Sequence, residues 1–167
     1  MREENMFNFF KKKKEVEKKE LKAYVTGKTI TIEEVADGVF SEKVLGDGMA
    51  ICPEDGKLYA PADGKVVTVM EDTKHACGLE LADGIQILLH VGIDTVEMNG
   101  KGFIYHVSEG QEVKTGDLLI EFDREVIKAE GCRDTVVMVV VENSNDLTLT
   151  MNTGCAVTAR ESVILSY

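Results

Sequence analysis

Three residues with chemically capable side chains, Thr73, His75 and His90, lie within one short stretch of the sequence. Between the two histidines, Asp83-Gly84 separates two runs rich in apolar residues. An Asp-Gly pair is among the strongest sequence signals for a tight β-hairpin, because both positions of such a loop must tolerate positive φ. The stretch therefore predicts two antiparallel strands that carry a histidine each.

The length of the loop determines which residues pair across this hairpin. A two-residue loop at Asp83-Gly84 places His90 opposite Cys77 and makes His75 its diagonal neighbour. Because side chains alternate between the two faces of a strand, His75 and His90 would then project from one face. Diagonal neighbours lie roughly 7–8 Å apart at the backbone, within reach of ring side chains. We predict that the two imidazoles meet.

Two convergent histidines are compatible with three kinds of site. They can ligate a metal, act as a base and nucleophile pair, or be hydrogen-bonded core residues. A nucleophilic histidine needs a neutral ring with one nitrogen free and the other held by a hydrogen bond. A second histidine nearby can stabilise phosphoryl oxygens. Thr73 has the strand parity to orient His75 through its hydroxyl, although it can equally be an ordinary β-branched strand residue.

The composition narrows the function classes. The 167 residues carry a net charge of −11, which argues against nucleic-acid binding because phosphate contacts require a basic surface. The acidic excess predicts basic partners. The four cysteines are widely spaced, which favours buried thiols in a reducing cytosol over a disulfide framework or a zinc site. No apolar run approaches the roughly 20 residues of a membrane span.

Residues 1–20 differ in composition from the rest, and we predict that they form a tail outside a domain of residues 21–167. An aromatic cluster is followed there by the four lysines of residues 11–14. Two interpretations stay open for this tail. It can be flexible and solvated, or it can form an amphipathic helix that makes a peripheral contact with an anionic membrane.

From residue 21 onward, short β-rich runs are punctuated by Gly and Asp, which predicts an all-β antiparallel sandwich or barrel with little helix. A single helical turn is expected at residues 124–129, and the unbroken apolar run 136–141 predicts a central strand buried on both faces. Residues 23–31 are echoed by residues 60–68, with a turn glycine before a strand in each. The duplication resembles the hybrid motif of biotinyl and lipoyl domains. The predicted strands are 23–25, 29–32, 49–52, 64–70, 77–81, 85–90, 103–106, 118–122, 135–141 and 157–158.

Several longer motifs point to one family. They are VFSEK at 39–43, GDGMAICP at 46–53, APADG at 60–64, KHA at 74–76, HVGIDTV at 90–96, GKGF at 100–103 and GQEV at 110–113. With these motifs the chain resembles the glucose-type enzyme IIA component of the bacterial phosphoenolpyruvate-dependent sugar phosphotransferase system. The resemblance runs from about residue 21 to the C-terminus, and the string at 90–96 is its most specific part.

The resemblance implies a cytoplasmic phosphocarrier, a phosphotransferase component that needs no cofactor. By this resemblance, His90 accepts a phosphoryl group from the phosphohistidine of the histidine-containing phosphocarrier protein. The group then passes to a cysteine on the IIB domain of a membrane sugar permease. His75 stabilises the phosphohistidine and Thr73 supports it. Relatives also regulate transporters or kinases by binding them when unphosphorylated, which complements the carrier function.

The resemblance also implies a surface for the partner proteins. Asp37 and Asp94 would lie on its rim, and Val39, Phe40 and Val96 would contribute apolar contacts. Val44, Leu45, Met70 and Leu88 extend this set of apolar residues, of which we expect at least half to be ordinary core. Position 77 departs from relatives, which commonly have an aromatic residue there. A cysteine beside His90 would soften the docking surface or make it sensitive to oxidation.

A zinc metallopeptidase of the lysostaphin type, which has a similar duplicated β-architecture, is the alternative function. Such a site requires a His-x-His pair with a further His and Asp, and this sequence has no His-x-His. We therefore expect His106 to be a surface strand residue. Two histidine ligands do not complete a tetrahedral zinc site, so zinc at His75 and His90 would be adventitious or completed by a partner.

Overall fold

The computed structural model describes residues 18–141 and 147–167. In this part of the chain, strands alternate with short turns, and the one α-helix is six residues long. The first seven strands are β1 (Glu20–Lys22), β2 (Gly27–Thr31), β3 (Gly46–Pro53), β4 (Lys57–Tyr59), β5 (Gly64–Val69), β6 (Ala76–Leu81) and β7 (Gln86–Ile93). The next strands are β8 (Phe103–Tyr105), β9 (Glu112–Val113), β10 (Leu118–Phe122), β11 (Arg133–Val141), β12 (Thr150–Met151), β13 (Ala156–Val157) and β14 (Val163–Ser166). The helix α1 is Arg124–Ala129, and three 3₁₀ turns are Glu33–Val35, Phe40–Glu42 and Thr95–Met98.

The strands form three antiparallel sheets. The largest has the order β13-β2-β3-β11-β7-β6-β5-β9, and two three-stranded sheets have the orders β4-β10-β8 and β1-β14-β12. Every strand pair in the described part of the chain is antiparallel. The all-β antiparallel prediction is confirmed.

The internal duplication appears in the large sheet. Gly27 starts β2, which lies between β13 and β3, and Gly64 starts β5, which lies between β9 and β6. A Cβ on Gly27 would lie 2.0 Å from the Cys52 carbonyl oxygen, and one on Gly64 would lie 2.6 Å from the Glu80 carbonyl oxygen. Each glycine therefore permits a close approach of the neighbouring strand's backbone. Glycine is therefore needed at both echoed positions for the same structural reason.

Strand β11 is the centre of the large sheet. It pairs with β3 on one side and with β7 on the other. Val136, Met138 and Val140 pack in the main core, whereas Val137 and Val139 pack in a smaller cluster on the opposite face. The prediction of a central strand buried on both faces is confirmed. Since β7 carries His90 and pairs with β11, a strand buried on both faces supports the site.

Most predicted elements are found within a few residues of their expected bounds. The strand at 118–122 and the helical turn at 124–129 agree fully. The strand predicted at 23–25 is wrong, because that segment is buried but not in a strand, and β1 precedes it. The sequence did not indicate β1, β4, β12 and β14, which have only two to four residues each.

Most of the predicted tail, residues 1–17, lies outside the described residues, and so does the proposed membrane contact of that segment. The end of the predicted tail is described. Lys19 and Tyr167 exchange backbone hydrogen bonds of 2.7 and 3.1 Å, and Glu20 pairs with Ser166. The sheet β1-β14-β12 thus starts from the last residues assigned to the tail. Among the described residues, no helix is long and apolar enough to cross a membrane.

Candidate functional site

The hairpin between the two histidines has a three-residue loop. The N–H of Leu81 donates to the Ile85 carbonyl at 2.7 Å, and the N–H of Gly84 donates to the Leu81 carbonyl at 2.9 Å. Gly84 has φ of 87°. A type I turn followed by a left-handed residue is the common geometry of a three-residue hairpin loop. The Asp83-Gly84 signal correctly located the hairpin, but the predicted two-residue loop is wrong.

The extra loop residue shifts the register by one. His90 pairs with Ala76, not with Cys77. Residues directly opposite share a face, so a regular strand would put His75 on the other face from His90. However, β6 begins only at Ala76, and the preceding Lys74 has φ of 55°. The left-handed residue at the strand entry frees His75 from the alternation, while its carbonyl still accepts from the N–H of Val91 at 2.7 Å.

The two imidazoles meet despite this register. Their ring centroids lie 4.7 Å apart with an interplanar angle of 84°. His75 is 5% exposed, whereas His90 is half-buried. The Nδ1 of His75 lies 2.8 Å from the Thr73 Oγ1, a hydrogen bond in which the hydroxyl can donate or accept. The structure therefore brings together the three residues that the sequence singled out.

The His90 ring has a fixed tautomer. Its Nδ1 lies 2.8 Å from the Gly92 carbonyl oxygen. A carbonyl can only accept, so a neutral His90 carries its proton on Nδ1 and leaves the lone pair on Nε2. The role of this carbonyl is not visible in the sequence, because no side-chain signal marks a backbone acceptor.

The position of the Gly92 carbonyl depends on an unusual backbone segment. Gly92 has φ of 79°, and a Cβ there would lie 2.3 Å from the Thr95 Cγ2 and 2.9 Å from the Arg133 carbonyl oxygen. Thr95, which is fully buried, donates its hydroxyl hydrogen to the Val91 carbonyl at 2.5 Å. The chain thus turns sharply at the end of β7, and only glycine fits at the residue that orients His90.

Electrostatics favour the neutral form of both rings. Burial lowers the pKa of His90 from 6.5 to about 4. The neighbouring His75 adds to this lowering, while the hydrogen bond to Gly92 and the charge of Asp37 oppose it. Burial also lowers the pKa of His75. At neutral pH both imidazoles are therefore uncharged, as a nucleophilic nitrogen requires.

A short turn covers His90 from the side. The Phe40 ring lies 4.9 Å from the His90 ring, centroid to centroid, in an edge-on arrangement. Asp37 holds this turn, because its carboxylate accepts from the N–H groups of Val39, Phe40 and Ser41 at 3.2, 3.2 and 3.0 Å. Burial would raise the pKa of Asp37, but these backbone hydrogen bonds lower it overall. The half-buried Asp37 thus keeps a negative charge near the histidines.

Several apolar residues in the segments before and after the site residues are exposed. Of the seven apolar residues considered for partner contact, five are exposed, which makes the expectation that at least half are core wrong. The exposed ones are Val39, Val44, Leu45, Met70 and Val96. Phe40 is buried and Leu88 is half-buried. Asp94 is exposed and precedes the turn that carries Val96. Exposed apolar residues that form a patch are typical of a protein-binding surface.

Cys77 is not part of that surface. It pairs with Leu89, is fully buried in the main core, and burial raises the pKa of its thiol to about 12. The expectations that it softens the docking surface or makes it sensitive to oxidation are wrong, since oxidation requires an accessible thiolate. All four cysteines are free thiols, but Cys52 and Cys155 are exposed. The prediction of buried thiols is therefore correct only for Cys77.

The third histidine lies elsewhere. His106 is exposed just after β8, and its Nε2 is 3.4 Å from the Glu121 Oε1. In residues 18–141 and 147–167, no three His, Cys, Asp or Glu side chains are grouped so that they could hold a metal ion. The site described above is therefore a pair of histidines with a supporting hydroxyl.

Comparison with known proteins connects this geometry to a family. The family described as phosphoenolpyruvate-dependent sugar phosphotransferase system, EIIA 1, matches residues 19–147. The chain belongs to this family. A solved structure of glucose permease IIA from Mycoplasma capricolum is 36% identical, with a TM-score of 0.80. That match covers 90% of this chain and 96% of the other.

Family membership fixes the general function. The chain is an enzyme IIA component of the sugar phosphotransferase system, a phosphocarrier in sugar uptake. Proteins of this family interact with a phosphocarrier protein and with IIB domains. The resemblance inferred from the sequence motifs is therefore confirmed, and so is the all-β fold that it implied.

Proposed function

We propose that His90 accepts a phosphoryl group on Nε2 from the phosphohistidine of the histidine-containing phosphocarrier protein. The group then passes to the IIB cysteine of a sugar permease. The observation that carries this proposal is the 2.8 Å hydrogen bond from Nδ1 of His90 to the Gly92 carbonyl. It leaves Nε2 as the only nitrogen of the neutral ring with a lone pair. In the transfer, this lone pair forms a new P–N bond while the donor's P–N bond breaks.

In this proposal, His75 stabilises the phosphoryl group on His90. The Thr73 hydroxyl donates to Nδ1 of His75, so that the His75 proton resides on Nε2 and can be donated to a phosphoryl oxygen. The 2.8 Å contact between Thr73 and His75 and the 4.7 Å separation of the two rings support this assignment. Phosphoryl transfer needs little covalent help from the protein, so positioning and charge stabilisation are the main tasks of such a site.

Partner proteins would dock on the exposed apolar residues beside the histidines. Val39 and Val96 are 46% and 50% exposed. Both belong to segments that border His90, since Val39 precedes the turn of Phe40 and Val96 follows the Gly92 bend. The charges of Asp37 and Asp94 would attract basic partners, which electrostatic complementarity favours chiefly through the association rate.

The proposal is tested by phosphorylation with purified enzyme I and the histidine-containing phosphocarrier protein. With phosphoenolpyruvate as donor, the chain should gain one acid-labile phosphate, mapped to His90 by mass spectrometry at alkaline pH. His90→Ala should abolish labelling, while His75→Ala should leave the protein folded and labelled but impair onward transfer. His106→Ala is the matched control, because it removes an exposed histidine outside the pair, whose Nε2 faces the Glu121 carboxylate, and it should label normally.

Two outcomes would contradict the proposal. One is labelling that survives His90→Ala at the wild-type level, which would place the phosphate on another residue. The other is normal onward transfer by His75→Ala, which would remove the role given to that ring. Metal-dependent peptidase activity of the wild-type protein would instead favour the hydrolase alternative.

A further inference from the structure

The loop of residues 71–75, which carries Thr73 and His75, is anchored by a residue of another sheet. Tyr105 lies in β8, and its Oη accepts a hydrogen bond from the N–H of Met70 at 2.9 Å. The same hydroxyl donates to the carbonyl of Ala76. Met70 and Ala76 flank the loop on its two sides. One hydroxyl, with both its donor and an acceptor position used, therefore joins the two ends of the loop.

The hydroxyl occupies the place of a missing β-ladder bond. The pairing of β5 with β6 ends at Val69 opposite Cys77, and one further step would place Met70 opposite Ala76. In β6, alternate residues bond to β7, as the contact between His75 and Val91 shows, so the polar groups of Ala76 point toward β5. A direct bond from Met70 to Ala76 would continue the ladder. Bridging by a hydroxyl holds the two strands roughly 2 Å further apart at this point than a direct bond would.

The separation is transmitted to His75 through two short connections. The carbonyl of Met70 accepts from the N–H of Lys74 at 2.7 Å, and Lys74 has the left-handed φ that frees His75 from strand alternation. On the other side, Ala76 directly follows His75. We propose that Tyr105 is a positioning residue for phosphoryl transfer, which opens the end of the β5–β6 ladder so that the His75 ring meets that of His90.

Packing against the loop of residues 71–75 also supports a positioning role for β8. Gly100 has φ of 85°, and a Cβ there would lie 2.6 Å from the Asp72 carbonyl oxygen. The loop backbone thus lies directly on Gly100, in the turn that leads into β8. Because Tyr105 belongs to β8, both contacts tie the loop to the same neighbouring segment. The sheet β4-β10-β8 thereby determines where Thr73 and His75 are held.

The test is Tyr105→Phe, which keeps the ring and removes only the hydroxyl. The matched control is Tyr167→Phe, because the Tyr167 hydroxyl donates to the Asp83 carboxylate at 2.7 Å, at the far end of the same β6–β7 hairpin. The inference about transfer depends on the proposed function, so two readouts are needed. The first is ¹⁵N NMR of the histidine rings in the unphosphorylated protein, and the second is the rate of phosphoryl exchange with the histidine-containing phosphocarrier protein.

We expect Tyr105→Phe to change the ring ¹⁵N shifts of His75 and to lower the transfer rate on the order of ten- to a hundredfold, as a displacement of about 1 Å can do. The loss should fall mainly on the maximal rate and less on the substrate concentration for half-maximal rate, because Met70 alone among the exposed apolar residues bonds to the removed hydroxyl. Tyr167→Phe should match wild type in both readouts. Circular dichroism at the assay temperature verifies that both variants are folded.

The outcomes separate this inference from the proposed function. If wild type is labelled on His90 but Tyr105→Phe transfers at the wild-type rate, the positioning role is wrong and the carrier function stands. If wild type is not labelled on His90, the proposed function fails, and the ¹⁵N spectra still decide whether Tyr105 positions His75. Unchanged His75 shifts in Tyr105→Phe would overturn the inference in either case. Loss of transfer in Tyr167→Phe to the same degree would also overturn it, since any hairpin hydroxyl would then suffice.

Discussion

Acidification should destabilise this protein through His90. The pKa of His90 is about 4 in the folded protein against an ordinary value of 6.5, chiefly because partial burial disfavours the charged ring. The unfolded chain therefore binds a proton more readily than the folded protein does. Stability from the neutral ring is fully present above pH 6.5 and is lost as the pH falls toward 4.

The size of the effect follows from the difference between the two pKa values. A difference of roughly 2.5 units corresponds to about 3 kcal/mol in the free energy of unfolding once the pH is below both values. Most of this loss of stability occurs at a pH where unfolding is readily measured, since about 2 kcal/mol should be lost between pH 7 and pH 5. His75, whose pKa burial also lowers, should add to the loss in the same direction.

The assay is urea unfolding of wild type and His90→Gln at pH 7, 6 and 5. The wild-type free energy of unfolding should fall by about 2 kcal/mol more than that of His90→Gln over this range. If His90→Gln loses as much stability as wild type between pH 7 and pH 5, burial does not hold His90 neutral and our account of the nucleophile is wrong.

Two further predictions concern the Gly92 bend and the cysteines. Gly92→Ala should destabilise the fold by about 1–3 kcal/mol from the left-handed φ alone, and by more because its Cβ would meet Thr95 at 2.3 Å. Urea unfolding measures this loss, and a variant as stable as wild type would show that the bend tolerates a side chain. In native protein a thiol reagent should modify the exposed Cys52 and Cys155 well before the fully buried Cys77. Peptide mapping would contradict this if Cys77 reacted as fast as the other two.

Periodicity and turn residues were sufficient for the long elements but not for the shortest ones. The unbroken apolar run at 136–141 predicted β11, because a strand buried on both faces needs no alternation. The prediction of a strand at 23–25 was wrong for a related reason. Tyr24 is fully buried, yet its hydroxyl donates to the Val136 carbonyl at 2.9 Å from a segment outside any strand. Burial alone gives an apolar sequence, and it does not distinguish a strand from an irregular segment beneath a sheet.

The meeting of His75 and His90 was predicted correctly from a register that is wrong by one residue. Loop length could not be read from Asp83-Gly84, because the same pair serves two-residue loops and the last positions of three-residue loops. The true register would separate the rings if β6 extended to His75. They meet because the strand begins one residue later, after a left-handed Lys74, and because the Tyr105 hydroxyl ends the ladder at that point. The two Tyr105 contacts come from β8, distant in the sequence, and no local pattern around Thr73 or His75 indicates them. Tertiary contacts therefore determine the geometry of the site, although the sequence alone identified its residues.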